Sequence, residues 1–543
     1  MSRAGTSATS SSGRRWTRAD WAALALIVVV SSTLRLARMD LVEFKSDESG
    51  ICTIAANMIE QGGLATHGLV SGTGLSNFPM FAYLLVPFVA ASREPMFLTA
   101  MIALANVAAV ALTYVGCAHR WGRGVAFWSA LLMSCSPLAV LYSRKIWAQD
   151  VLPVLLVPAV FGLLALLNGE KKRIFSVVLL CGVAAMTHLS GLCAILSVAT
   201  CLLIFRPTLC WKRLGVAVVT LAILASPFAY YVISEGQDER ELFGEYLSGR
   251  GTAEELKPSL VQIVRHATDI AAGNLFAVYP EATPDDKDVW GVWGSLGGRI
   301  GRFLFAMATL ALIVRVVLRT RSGRRKAEDS GVSKREASVL LVWLAIPILV
   351  YWVTGVRVSI HYFIVTFPVP FVVMGLFLDH LRQAGRRIRD PISSSLAQAL
   401  PVALGLGVCI SGVVSTVTFA SQIDRSGGAA GDYGVALKHK LDAVEYIQQR
   451  AGGARAILVG DFEDKSPLPG AEEFEYLLRL RKLVDKDVAD TLRESGVPFV
   501  IVDLFRYKLT DEKLAFVDSF SPKRFGPLLV CELPVANEAD ADP

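Results

Sequence analysis

No two of the nine cysteines form a CxxC pair, and most lie inside apolar segments. That spacing excludes a zinc-ribbon or dithiol-redox signature. Nothing in the sequence pairs Cys52 with Cys531, although both are expected on the same side of a membrane. No repeat of solenoid length is evident. Charge is also scarce: Asp, Glu, Lys and Arg make up 19% of the chain, against 53% apolar residues. The mean hydropathy is +0.48. A soluble protein of this size has a more polar surface and fewer long apolar runs. The net charge of +6 is not a nucleic-acid footprint. The basic residues sit in short clusters between apolar segments, as topology determinants do, so no nucleic-acid partner is expected.

The N-terminus, Met1–Asp20, is Ser-rich and basic. The run that follows, Trp21–Leu36, has no clear small-x-small cleavage site and is longer than a typical signal h-region. It reads as an uncleaved first spanning helix. Runs such as Val151–Leu167 and Val402–Ala420 match the roughly 30 Å of a hydrocarbon core. Lys and Arg collect at 119–124, 169–173, 206–213, 319–335 and 379–390. The positive-inside rule puts these loops in the cytoplasm. They alternate with sparser loops at 40–95, 144–150, 188–190, 233–299 and 355–361. Asn77–Ser92 is apolar, but short and interrupted by Pro79 and Pro87. If it spanned, every later loop would invert, so it is expected to lie at the outer surface.

The reading is an all-α polytopic membrane protein with about eleven transmembrane helices. They fall at 21–39, 96–118, 125–143, 151–168, 174–188, 190–205, 214–232, 300–318, 337–354, 362–379 and 396–420. Residues 1–20 form a cytoplasmic tail, 21–420 the membrane domain with external loops at 40–95 and 233–299, and 421–543 a small extracytoplasmic α/β domain. Within the last, strand-like runs at Ala456–Val459 and Phe499–Phe505 are flanked by helical patterns, as in a βαβ unit.

Unusual residues collect on the outer side. The first cluster is Lys45-Ser46-Asp47-Glu48, at the start of an expected helix over 49–61. Adjacent helical side chains point about 100° apart, so Asp47 and Glu48 take different roles. Favourable charge at a helix N-terminus is the plainer explanation of the pair. The second cluster, Tyr142–Asp150, places Arg144 and Lys145 outside, against the orientation bias; they need an anionic partner such as a lipid phosphate. Asp150 is in position to cap the next helix. The third is Arg357, His361 and Tyr362, a set able to bind a phosphate. His188 and His67 also lie in outer turns, where a lone histidine is more often a hydrogen-bonding structural residue than a ligand.

Together these segments resemble the GT-C fold, lipid-phosphate-sugar-dependent glycosyltransferases, in the bacterial branch related to protein O-mannosyltransferases and the aminoarabinose transferase of lipid A. Lys45–Glu48 resembles the family's Asp-Glu motif in the first external loop. Asn77–Tyr83 resembles its Pro-Pro-Leu-x-Tyr segment, Tyr142–Asp150 its Ser-Arg-x-x-x-x-Asp stretch, and Arg357–Tyr362 with Pro368 its late Arg/His-Tyr segment. The resemblance covers about the first 380 residues. Where the family often has Lys-Pro-Pro, this chain has Asn77-Phe78-Pro79, and Lys45 or Lys145 are the available substitutes for that lysine.

The resemblance implies transfer of a sugar from a polyprenyl-phosphate carrier to an acceptor hydroxyl on a lipid, glycan or protein, with inversion. Asp47 is the expected base. Arg144, Lys145 and Arg357, with His361 and Tyr362 as donors, are expected to stabilise the departing phosphate. Glu48 and Asp150 are expected to orient these groups or the sugar. A divalent metal between loops is compatible with this fold, but no ligand spacing requires one. The expected location is a bacterial inner membrane. A lipid or sugar transporter or flippase is the main alternative. Transporters place ionisable residues near the midplane on broken helices, whereas here the charged clusters gather at one surface. A non-catalytic scaffold or sensor would not need them.

Overall fold

The computed structural model describes residues 16–70, 75–236, 240–241, 257–273, 275–282, 289–318, 332–356, 358–431, 433–451, 456–458, 471–481, 497–505, 515 and 517–532. Arg357, most of the N-terminal tail, much of the 233–299 loop and most of the basic loop at 319–335 lie outside the described residues.

Each of the apolar segments expected to span is helical. Helix α1 is Arg18–Leu36, and after α2 (Ser46–Gln61) and α3 (Met80–Ala91) come α4 (Pro95–Arg120), α5 (Arg123–Cys135) and α6 (Pro137–Tyr142). Then follow α7 (Leu152–Leu167), α8 (Ile174–Thr187), α9 (Leu192–Phe205), α10 (Trp211–Ser234) and the amphipathic α11 (Leu260–Ala272). The last membrane helices are α12 (Val289–Leu318), α13 (Lys334–Thr354), α14 (Val369–Gly385) and α15 (Pro391–Ser426). Among the described residues, seven helices are long and apolar enough to cross a membrane, or eight if the bent pair 360–366 and 369–385 is one span. The chain is a multi-pass membrane protein. The difference from eleven lies in breaks: the segment at 125–143 is split between α5 and α6, and α8 and α9 are 14 residues each. The apolar α3 has 12 residues, about 18 Å of helix, well short of the hydrocarbon thickness.

The break at Pro137 has a visible remedy. Proline cannot continue the hydrogen-bond ladder behind it. Freed carbonyls within a membrane must find other donors. Arg35, near the end of α1 and 1% exposed, donates to the Met133 and Ser134 carbonyls at 3.1 Å and to the Ala139 carbonyl at 3.4 Å. One buried guanidinium thus joins α1 to the kink between α5 and α6. At the opposite end of α1, the capping box of Thr17 and Asp20 is extended by Arg123, whose Nε lies 2.5 Å from the Asp20 carboxylate. Arg120 pairs with Glu336, which also completes the capping box of α13.

Beyond α15 the chain forms a short ribbon of β1 (Gly428–Ala429) and β2 (Gly434–Val435), then α16 (Leu437–Ala451). Strands β3 (Ala456–Leu458), β4 (Val497–Asp503), β5 (Lys523–Phe525) and β6 (Leu528–Glu532) form one sheet in the order β3-β4-β6-β5. β3 and β4 run parallel, with α17 (Ala471–Leu480) between them in sequence. This region does not stand apart. Its buried apolar residues, including Leu437, Val444, Ile447 and Leu477, share one core with Phe44, Ile51 and Phe81 of the segment between α1 and α4 and with Leu98 of α4.

Helix α15 crosses α5 closely at Gly412, where an added Cβ would lie 2.2 Å from the Cys135 carbonyl oxygen. At Gly407, on the same helix, nothing lies within 4 Å. Gly412→Ala is expected to lower stability in detergent by about 1–3 kcal/mol. Gly407→Ala is expected to leave it unchanged or raise it by up to about 1 kcal/mol. Equal thermal midpoints for the two variants would contradict this packing.

Candidate active site

The segment leaving α1 turns through Met39–Leu41 and runs extended to Lys45, the N-cap of α2. Glu48, at the third position of α2, reaches back so that its Oε2 accepts from the Lys45 backbone N–H at 3.0 Å. That turns Glu48 inward, and it is fully buried. Asp47, one residue earlier, is carried about 100° round the helix and is exposed. The two adjacent carboxylates occupy different environments. Burial pushes the Glu48 carboxyl up to about 7, against the pull of Lys45 in the opposite direction.

The charge at the centre is one that the Asp-Glu pair overshadowed in the sequence. Glu43 is 2% exposed. Its Oε2 lies 3.0 Å from Lys45 Nζ, and its Oε1 pairs with Lys145 Nζ. Lys145 also donates to the Tyr279 hydroxyl at 3.0 Å and sits 4.0 Å from the ring centroid of Trp147. A lysine this buried stays charged only with such partners. The first external segment and the 143–151 turn are therefore fastened at a single carboxylate. Arg144, the neighbour of Lys145, points elsewhere: its Nη2 donates to the Arg38 carbonyl. It lines a narrow groove with Leu41, Leu275, Phe419, Ile423 and Tyr433, which Glu43 and Lys145 also border.

Asp150 does not cap α7. It lies in a short 3-10 turn, Ala148–Val151, and α7 has no side-chain cap. Both Asp150 carboxylate oxygens are buried without a hydrogen-bond partner, and the group is within electrostatic reach of Lys145 and Glu48. The Asp150 backbone carbonyl accepts from Asn106 Nδ2 at 2.8 Å, which holds the turn against α4.

An aromatic wall closes the other side. His361 packs edge-on against Trp147 at 5.2 Å and Tyr362 at 4.7 Å between ring centroids. His188 lies 5.4 Å from Tyr362. The Ser190 N–H donates to His188 Nδ1 at 3.2 Å, which assigns the ring hydrogen of a neutral His188 to Nε2. The 360–366 turn carrying His361 and Tyr362 is held by Trp343 of α13, which donates to the Val365 carbonyl at 3.1 Å. His67 is separate: it is exposed and stacks on Tyr231 at 4.4 Å.

Of the residues singled out in the sequence, the fold thus gathers Lys45, Asp47, Glu48, Lys145, Asp150, His361, Tyr362 and His188 around one locus. Arg144 is turned to the adjacent groove, and His67 lies on Tyr231. Sequence reasoning missed Glu43, Trp147 and Tyr279. Trp147 lay inside the second cluster, and Glu43 stands two residues before Lys45; Tyr279 sits in a long loop with no motif. Among the described residues no three His, Cys, Asp or Glu side chains gather in a way that could hold a metal ion. Glu43, the most central carboxylate, is engaged by two ammonium groups and is not available as a metal ligand.

No family model and no curated protein matches this chain. Solved structures do. ArnT from Cupriavidus metallidurans bound to undecaprenyl phosphate superposes with a TM-score of 0.55 at 14% identity, over 96% of this chain and 99% of that one. The apo state of the same protein gives 0.53 at 14% identity, over 95% and 98%. The chain therefore has the GT-C fold over nearly its whole length.

Two outcomes follow from the buried charges. Lys145→Ala is expected to destabilise the protein by up to about 3 kcal/mol, since it leaves the buried Glu43 with the partly exposed Lys45 alone, and Glu43→Gln in the same chain is expected to restore part of that loss. An additive double variant would contradict the pairing. Glu48 binds its proton more tightly folded, at about 7, than its ordinary value of 4.5. Its contribution is full below the unfolded value and is lost as pH rises through the folded one, a fall of up to about 3 kcal/mol. Glu48→Gln is expected to flatten the thermal-stability profile in that window; an unchanged profile would contradict it.

Proposed function

We propose that the protein is a membrane glycosyltransferase that moves a sugar from a polyprenyl-phosphate carrier to an acceptor hydroxyl, with inversion at the anomeric carbon. The observation that carries this reading is the junction of Glu43, Lys45 and Lys145 beside the exposed Asp47. It joins a fixed positive site to an accessible carboxylate, within the fold of a protein solved with undecaprenyl phosphate. Transfer to an oxygen acceptor needs a base on one side of the anomeric carbon and positive charge on the other.

In this reading Asp47 accepts the acceptor's hydroxyl proton as that oxygen bonds to the anomeric carbon. The bond from that carbon to the phosphate oxygen breaks, and the electron pair leaves with the lipid phosphate. Lys45, whose side chain is 21% exposed, is the cation nearest to Asp47 in sequence and turned partly to solvent. Lys145 lends its field across Glu43, and Arg144 and Arg357 supply further charge. His361 and Tyr362, with Trp147, form a surface suited to a sugar ring and its hydroxyls. Glu48 and Asp150 orient the helix and the turn that carry these groups. The lipid tail lies in a groove between helices that opens to the bilayer.

The topology that goes with this reading has about eleven crossings. The N-terminus is cytoplasmic, residues 21–420 form the membrane domain, and 421–543 face outside in a bacterial inner membrane. The acceptor is a lipid, a glycan or a protein, met at the outer face.

Purified protein in lipid is incubated with polyprenyl-phosphate sugars and a cell-envelope extract, and release of sugar-free lipid phosphate is followed. Asp47→Asn is expected to lower the rate about 100- to 10,000-fold at unchanged folded yield. A fully active Asp47→Asn overturns the base assignment. Absence of turnover by the unaltered protein overturns the transferase reading and favours lipid or sugar transport.

A further inference from the structure

The backbone just before Asp47 is held residue by residue from the C-terminal part of the chain. The Tyr433 hydroxyl donates to the Leu41 carbonyl, and the Leu437 N–H donates to the Val42 carbonyl at 2.8 Å. Glu43 pairs with Ala436 in an antiparallel bridge. Lys440 Nζ donates to the Phe44 carbonyl at 2.6 Å. Lys440 is itself 1% exposed and is balanced by Glu473 of α17, also 1% exposed, at 2.7 Å. Phe44 packs 5.6 Å from the ring of Tyr476 on the same helix.

A module that only covered a site, or only recruited an acceptor, would meet it through a polar, hydrated rim. Here the contact is a buried ion pair inside a shared apolar core. A charge pair so enclosed is costly to form unless its geometry is exact in all its hydrogen bonds, and its third partner is the peptide next to Lys45. Two residues further on is Asp47. The pair therefore sets the position from which α2 begins.

We propose that Lys440 is a positioning residue for the site: through the Phe44 carbonyl it fixes the backbone carrying Lys45 and Asp47, so that α16 and α17 act as a fixed wall of the site. For its effect on turnover this rests on the transferase reading; for its effect on α2 it does not.

The test uses the full chain in lipid. Lys440→Met strands Glu473 and loses folded protein, so the deciding variant is Lys440→Met/Glu473→Met, which removes both charges and keeps apolar volume. It is expected to unfold within a few degrees of the unaltered protein. Amides of α2 are expected to exchange about 10-fold faster or more, while those of α4 are unchanged. The kcat per folded molecule is expected to fall about 10- to 100-fold, with the KM for the polyprenyl-phosphate sugar nearly constant. A merely structural pair would change the folded yield and not this split. Wild-type exchange in α2 together with wild-type kcat overturns the proposal. If the unaltered protein turns over no carrier, the transferase reading falls and exchange alone decides: faster exchange in α2 upholds the positioning role, and unchanged exchange overturns it.

Discussion

The site depends on one buried carboxylate. Glu43 has an apolar residue on each side in sequence and is sealed from water, yet it meets the ammonium groups of Lys45 and Lys145. An isolated carboxylate there would have to give up its charge, and the buried Lys145 alone would face the same penalty. The three groups are stable only together. Because they come from two segments separated by about a hundred residues, their union fixes how the loop after α1 meets the turn before α7. Everything proposed for the chemistry inherits that geometry: Asp47 turns outward because Glu48 turns in, and Glu48 turns in because Lys45 anchors the first turn of α2.

Around this junction the fold supplies stiffness from three directions. Arg35 secures the kink at Pro137, so that α6 delivers the 143–151 turn at a set depth. Trp343 and Tyr351 of α13 hold the 360–366 turn, which presents His361 and Tyr362. The ribbon and helix after α15 hold the extended segment at 41–44. A site built on rigid elements keeps its groups in register without relying on loop order. Helix α14 packs against both α5 and α15.

Much of the membrane architecture was legible because a spanning helix needs only length and apolar content, and those are local. The breaks were less so. Ser136-Pro137 lies inside a continuous apolar run, and nothing there announces that Arg35, a hundred residues earlier, will satisfy the freed carbonyls. Of the site, Lys45, Asp47, Glu48, Lys145, Asp150, His361 and Tyr362 stood out as polar groups at the ends of apolar runs. That Asp47 and Glu48 meet different surroundings followed from helical spacing, but which of the two turns inward did not. Glu43 did not stand out, because its importance lies in a partner far along the chain. Lys440 and Glu473 look like ordinary charges of amphipathic helices, and only the tertiary fold reveals that both are buried. Arg144 and Lys145 show the converse: neighbours in sequence, they were assigned one role, but the turn sends their side chains into different surroundings. Asp150 looked like a cap, and its carboxylate instead faces the charge cluster.

The most direct test of this account is a structure of the protein in a lipid disc with a non-transferable polyprenyl-phosphonate sugar. The account predicts the phosphonate within hydrogen-bonding distance of Lys45 or Lys145, the sugar against Trp147 and His361, and the anomeric carbon facing Asp47. A headgroup bound elsewhere, with the Glu43 junction untouched by it, would contradict the claim that this junction organises the site.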